Sequence, residues 1–151
     1  MLSLADFQEG KEKIAVVGLG YVGLPLSVAL ATHFQVLGFD ISRVRVNELR
    51  HGRDRTGEVQ SRDLLDANLV YSADPGILSQ AKLIVVAVPT PIDANRRPAL
   101  GAIQAATATV GRNMVSGTVV VFESTVYPGL TEDVCLPLLE ETSGLRCGRD
   151  F

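Results

Sequence analysis

The sequence predicts an α/β chain, with one doubly wound parallel sheet carrying helices on both faces. Three observations predict it. Short apolar runs alternate with longer stretches of helical period, the apolar residues are aliphatic, and the 151-residue length suits a single core. Alternating strand and helix signals imply βαβ units with right-handed crossovers. With 46% hydrophobic residues, only 5% aromatic and no Trp, the core is built from Val, Leu, Ile and Ala. Strands covered on both faces have that composition.

Taken in order, residues 1–12 are an N-terminal extension and residues 13–151 the single domain. Residues 14–17 read as the first buried strand and 22–32 as a helix. Pro25 falls in that helix's first turn, where backbone N–H groups have no intrahelical partner. Residues 36–39 are the second strand, after which Ser42 caps a helix to about Arg50, closed by Gly52. Residues 53–60 are polar and loop-like, 61–67 a short helix and 69–71 a brief third strand, with a helical turn from Pro75. Residues 83–88 are the most apolar strand, and PTPIDANRRP after them, with three prolines in ten residues, reads as a surface loop. Residues 100–114 are a helix, 118–122 a fifth buried strand and 131–141 a last helix, which Pro137 is expected to kink.

The net charge is −3 with acids and bases interspersed, so no basic stripe points to nucleic acid or an anionic membrane. No apolar run is long enough to span a bilayer, and the first twelve residues lack the pattern of a signal peptide. A cytoplasmic location is expected. Cys135 and Cys147 are too far apart for a metal or redox pair, so both are expected to be ordinary thiols and no metal site is expected.

Three motifs carry chemistry. GLGYVG, residues 18–23, joins the first strand to the first helix. Gly18 permits the tight turn, Gly20 admits the backbone to a pyrophosphate and Gly23 lets helix pack on strand, while the helix N-terminus offers N–H groups to phosphate. An acid at the end of strand two tests this, and Asp40 stands there, in VLGFD. Its carboxylate suits the adenosine ribose hydroxyls and repels a 2′-phosphate, favouring NAD over NADP; the alternative is a carboxylate that only caps the next helix. Arg45 either meets the adenine or a phosphate, or is a solvated helix-surface cation. In VAVPTP, Pro89 and Pro91 stiffen the exit of the fourth strand and fix Thr90, either beside a dinucleotide or in a plain turn. FESTVYPG presents Glu123, Ser124 and Thr125 at the same sheet edge, beside the nicotinamide half or as caps of a turn.

Together KIAVVGLGYVGLP, GFDI with Asp40, DRTGEV, VAVPTPID and ESTVYPG resemble the N-terminal, Rossmann-type NAD-binding domain of the UDP-glucose/GDP-mannose dehydrogenase family. They look most like the bacterial branch acting on UDP-N-acetylhexosamines. The resemblance implies a four-electron oxidation of a sugar C6 hydroxyl to a carboxylate with two NAD, serving cell-surface polysaccharide synthesis. It implies that Tyr21 and Val22 flank the pyrophosphate with Gly18, Gly20 and Gly23, that Asp40 holds the ribose, and that Arg45 and Thr90 lie along the cofactor. Thr125 matches a threonine serving the catalytic water or the sugar near C6, so it is the candidate catalytic residue and a cofactor contact. Glu123 stands where many relatives have a basic residue, and Ala99 replaces an aspartate, which predicts a poorly capped helix.

The family's nucleophilic cysteine, lysine and asparagine belong to later domains, and neither Cys135 nor Cys147 matches the nucleophile. An isolated cofactor domain is therefore expected, binding NAD but unable to oxidise a UDP-sugar, from a family whose full-length members form homodimers or larger assemblies. Two other readings compete. A regulatory NAD-sensing module of a channel or transporter has no need of VPTP or STVYPG. A dehydrogenase of 3-hydroxy acids or 6-phosphogluconate would differ around strand five.

Overall fold

The computed structural model describes residues 2–66, 68–91 and 99–151, so Ala67 and most of the PTPIDANRRP segment lie outside the described residues. Five parallel strands form one sheet: β1 (Lys13–Val17), β2 (Val36–Phe39), β3 (Leu69–Ser72), β4 (Ala81–Val86) and β5 (Val119–Phe122). Their order is β3-β2-β1-β4-β5. The chain builds outward from β1 in one direction, then returns to place β4 on its other side. Ligands bind at that switch in strand order, beyond the carboxyl ends of the strands.

β1 shows why both faces are covered. Ile14 and Val16 enter one apolar cluster with Val36, Val85 and Ala31, whereas Ala15 and Val17 enter another with Ile84, Val86, Ala106 and Val110. A period of two on a strand with apolar residues at every position places a core on each side. Helices α2 (Gly23–Ala31) and α3 (Arg43–Arg50) cover the first side with the short α4 (Ser61–Asp66), and α5 (Gly101–Asn113) and α6 (Leu136–Ser143) the second.

Several boundaries depart from expectation. A capped helix, α1 (Leu4–Gln8), precedes β1, and its Phe7 packs against the first cluster. β4 starts and ends two residues earlier than its apolar run suggests, because pairing with β1 sets its register, Lys13 opposite Ala81 and Val17 opposite Val86. β5 is not the buried strand expected: it lies at the sheet edge, with Val119 exposed. The last helix is irregular just ahead of Pro137. A π-helical turn, Thr131–Cys135, comes first, with the Leu136 N–H reaching the Thr131 carbonyl, and Pro137 sits near the start of α6.

Candidate functional site

A cleft of about 530 Å³ opens over the carboxyl ends of β1, β2 and β4. Its floor is Val17–Gly20, one wall comes from Phe39, Asp40, Ile41, Ser42, Arg45 and Arg55, and the other from Val88, Pro89, Ala102, Ala105, Ala106 and Thr109. The glycine turn is shaped for this position. Gly18 has φ +93°, a conformation side chains resist. A Cβ on Gly23 would lie 1.8 Å from the Gly18 carbonyl oxygen, so only glycine lets α2 start so close to β1. A Cβ on Gly20 would meet nothing within 4 Å. The protein itself sets no demand for glycine there, so the open space is what a bound group approaching the backbone would use. The N-terminus of α2 follows at once, a setting that favours an anion.

Asp40 holds this turn from the side. Its Oδ2 accepts the Leu19 N–H at 2.9 Å and its Oδ1 the Ser42 N–H at 2.8 Å. It thus braces two backbone segments while lining the cleft, and each oxygen keeps further acceptor capacity. Ser42 caps α3 as expected, accepting the Arg45 N–H at 3.2 Å.

Arg45 is not a solvated surface cation. Its side chain is 7% exposed. Nε donates to the Leu19 carbonyl at 2.8 Å and Nη2 to Asp54 Oδ1 at 2.8 Å, while Nη1 is buried without a partner among the described residues. A buried guanidinium nitrogen without a protein acceptor is the kind of group that an ordered water or ion satisfies. Asp54, which sequence reasoning missed, also accepts the Thr56 N–H and hydroxyl and the Glu58 and Val59 N–H groups. Burial pushes its carboxyl up, but the Thr56 hydroxyl, Arg45 and the Thr56 and Val59 amides outweigh that and hold it well below the usual carboxylate range. The missed signal was an Asp two residues before a Thr inside a polar loop, a side-chain-to-backbone turn pattern.

The remaining candidates are less enclosed. Tyr21 and Val22 are exposed beside the glycine turn rather than in the cleft wall. Thr90 and Thr125 also lie outside the cleft lining, but the structure brings them together: the Thr90 hydroxyl donates to the Thr125 carbonyl, and the Ser124 hydroxyl donates to the Val88 carbonyl at 2.7 Å. Thus VPTP and ESTVYPG are laced at the ends of β4 and β5, and the Thr125 side chain is on an exposed residue. α5 has Leu100 as its N-cap and no side-chain cap, the poor capping expected from Ala99. Cys135 is buried, and burial pushes its thiol up against a hydrogen bond to Thr107; Cys147 is exposed. Among the described residues no cluster of His, Cys, Asp and Glu is placed to hold a metal ion, and no helix is long and apolar enough to cross a membrane.

Comparison with known proteins shows the family. Residues 12–151 match the model of the UDP-glucose/GDP-mannose dehydrogenase family, NAD binding domain. The chain is 49% identical over 138 residues to Protein CapL of Staphylococcus aureus, covering 91% of this chain and 32% of that protein. It is 46% identical over 140 residues to the UDP-N-acetyl-D-glucosamine 6-dehydrogenase of Pseudomonas aeruginosa, covering 92% of this chain and 33% of that enzyme. Among solved structures, UDP-D-ManNAc dehydrogenase from Pyrococcus horikoshii superposes with a TM-score of 0.84 at 33% identity, over 92% of this chain and 34% of that one. The chain therefore spans about a third of the length of the relatives it matches. It belongs to the UDP-glucose/GDP-mannose dehydrogenase family and is an NAD-binding Rossmann-type domain of that family.

Proposed function

We propose that the chain is the cofactor-holding part of a nucleotide-sugar 6-dehydrogenase that oxidises the C6 hydroxyl of a UDP-N-acetylhexosamine or UDP-hexose to a uronic acid, for cell-surface polysaccharide. The observation that carries the cofactor half is Gly20, which faces open space at the cleft floor between the N-terminus of α2 and the Asp40 carboxylate. In this reading the amides of Gly20, Tyr21 and Val22 receive the pyrophosphate, with Gly18 and Gly23 shaping the turn. Asp40 accepts the ribose hydroxyls, and Arg45 Nη1 supplies a cation beneath them. NAD contributes hydride acceptance, and the domain's own residues bind and orient it. The UDP-N-acetylglucosamine 6-dehydrogenase of P. aeruginosa supports the substrate class. A cytoplasmic homodimer or larger assembly completes the reading.

Thr90 and Thr125 belong to the nicotinamide end, where Thr125 is the candidate catalytic hydroxyl. The chain alone holds cofactor without oxidising sugar, since Cys135 is buried with a raised thiol and Cys147 lies on the surface after α6. The family match runs through VPTP and STVYPG, stretches for which a regulatory sensor module has no use. Calorimetric titration of the chain is expected to show NAD bound more tightly than NADP, and no NADH absorbance is expected with NAD and UDP-N-acetylglucosamine. Equal or tighter binding of NADP defeats the role given to Asp40. NADH production by the chain alone defeats its incompleteness.

A further inference from the structure

The polar loop at residues 53–59 is organised by one buried carboxylate and adds a residue to the cleft that the glycine fingerprint does not contain. The Asp54 side chain is 1% exposed and gathers the Arg45 guanidinium, the Thr56 hydroxyl and three loop amides. Backbone tied at so many points fixes the next residue, Arg55, at the cleft wall beside Asp40, Ile41 and Ser42. Arg55 is 53% exposed, and its Nε donates to Glu48 Oε2 of α3 at 2.6 Å. Across the cleft stand Ala102, Ala105 and Ala106, small apolar residues that leave room for a flat apolar group.

We propose that Arg55 is a cofactor-contacting residue that recognises the adenine base, its guanidinium lying against the ring opposite the alanine wall of α5. The proposal rests on the cleft being the NAD site. In that reading the pyrophosphate belongs at Gly20, and Arg55 lines the same cleft from the loop that follows α3. A 2′-phosphate is the other group an arginine at this edge could serve. Here Glu48 already neutralises the guanidinium and Asp40 adds a second carboxylate, so a planar uncharged ring suits the position better than an anion.

The test is calorimetric titration of the wild-type chain, Arg55→Ala and Arg55→Lys with NAD, ADP-ribose, AMP, NMN and 2′,5′-ADP, with thermal melting to check the fold. Arg55→Ala is expected to bind NAD, ADP-ribose and AMP about two- to fivefold more weakly, with NMN unchanged and Arg55→Lys intermediate. Unchanged AMP affinity in Arg55→Ala overturns the proposal. So does a loss confined to 2′,5′-ADP, which marks a phosphate contact, or an equal loss for NMN and AMP, which marks a loosened site. A wild-type chain binding neither NAD nor AMP overturns the cleft assignment together with this one. Wild-type binding of NAD with an unaffected Arg55→Ala overturns only the role of Arg55.

Discussion

Asp40 accepts the Leu19 N–H at 2.9 Å, so the carboxylate at the end of β2 fixes the turn at the end of β1. One side chain therefore carries two kinds of free energy, bracing and binding. Asp40→Ala is expected to lower NAD affinity by about 1.5–3 kcal/mol through the lost charged hydrogen bonds. It is also expected to cost about 1–3 kcal/mol of stability by orphaning the Leu19 N–H. Calorimetry and urea unfolding measure the two separately. Lost stability with unchanged NAD affinity would make Asp40 a brace and cap only.

The glycines of the turn are expected to fail in opposite ways. Gly20→Val has free space in the protein, so unfolding should change little while NADH fluorescence titration shows binding abolished. Gly23→Ala drives a methyl group to 1.8 Å from the Gly18 carbonyl, which forces α2 and β1 apart. That strain is expected to cost about 1–3 kcal/mol or more. A Gly20→Val chain that still bound NADH would show that the phosphates do not pass there.

All five strands and their helices were legible because an aliphatic strand with apolar residues at every position leaves little ambiguity, whereas the register, Ile14 opposite Val36 and Leu83, is set by pairing within the sheet. Edge positions were less so. Nothing local in residues 118–122 distinguishes an edge strand from a central one, because that depends on which neighbours the sheet supplies. The short α1 escaped notice because its evidence is a cap, Ser3 and Asp6 bonding reciprocally, and not apolar periodicity.

The cleft residues Gly18, Gly20 and Asp40 were legible because their spacing is a pattern in the sequence itself. The site was not legible where one residue folds back on a distant one. Arg45 spans from α3 to both Leu19 and Asp54, so its burial is a tertiary fact that periodicity cannot supply. The lacing of Thr90 to Thr125 is of the same kind, linking residues 35 positions apart.

The Arg45–Asp54 pair has a defined pH signature. The folded-state carboxyl of Asp54 is depressed from an ordinary value of 3.8, so its stabilising contribution is present above that value and is lost as pH falls toward the folded value. Asp54→Asn leaves the buried guanidinium without its counter-charge and is expected to cost about 3–5 kcal/mol at neutral pH. The stability gap between wild type and Asp54→Asn should hold level from about pH 8 to 5 and shrink below about pH 4. A gap that stayed level into strong acid would show that the charge on Asp54 is not what the pair contributes.

The two thiols are expected to differ sharply in reactivity. Cys135 is 1% exposed and burial pushes its thiol up, whereas Cys147 is exposed. Thiolate fraction and access both govern attack on a disulfide reagent. Titration of the native chain with Ellman's reagent should label about one thiol quickly, and the second only in denaturant. Cys147→Ser should abolish the fast phase. A fast phase surviving in Cys147→Ser would place Cys135 in reach of solvent.

The Thr90–Thr125 contact separates two ways in which FESTVYPG can matter. The Thr90 hydroxyl holds the Thr125 carbonyl, and the Ser124 hydroxyl holds the Val88 carbonyl, so the two loops keep a fixed relation without the Thr125 side chain. Removing that side chain should therefore leave the loops and the cofactor cleft in place. In a longer protein that contains this domain and turns over a UDP-sugar, Thr125→Ala is expected to lower kcat at least tenfold with NAD affinity within about twofold, because positioning of a reacting group acts on the transition state. Thr125→Ser should recover most of the loss, since it restores the hydroxyl. Thr90→Val is expected to change KM for NAD as well as kcat, because it frees the loop that Thr125 sits on. Steady-state kinetics on the three variants decide between the roles: normal turnover in Thr125→Ala would leave Thr125 a turn residue, and equal losses in Thr125→Ala and Thr125→Ser would assign the effect to packing instead of the hydroxyl.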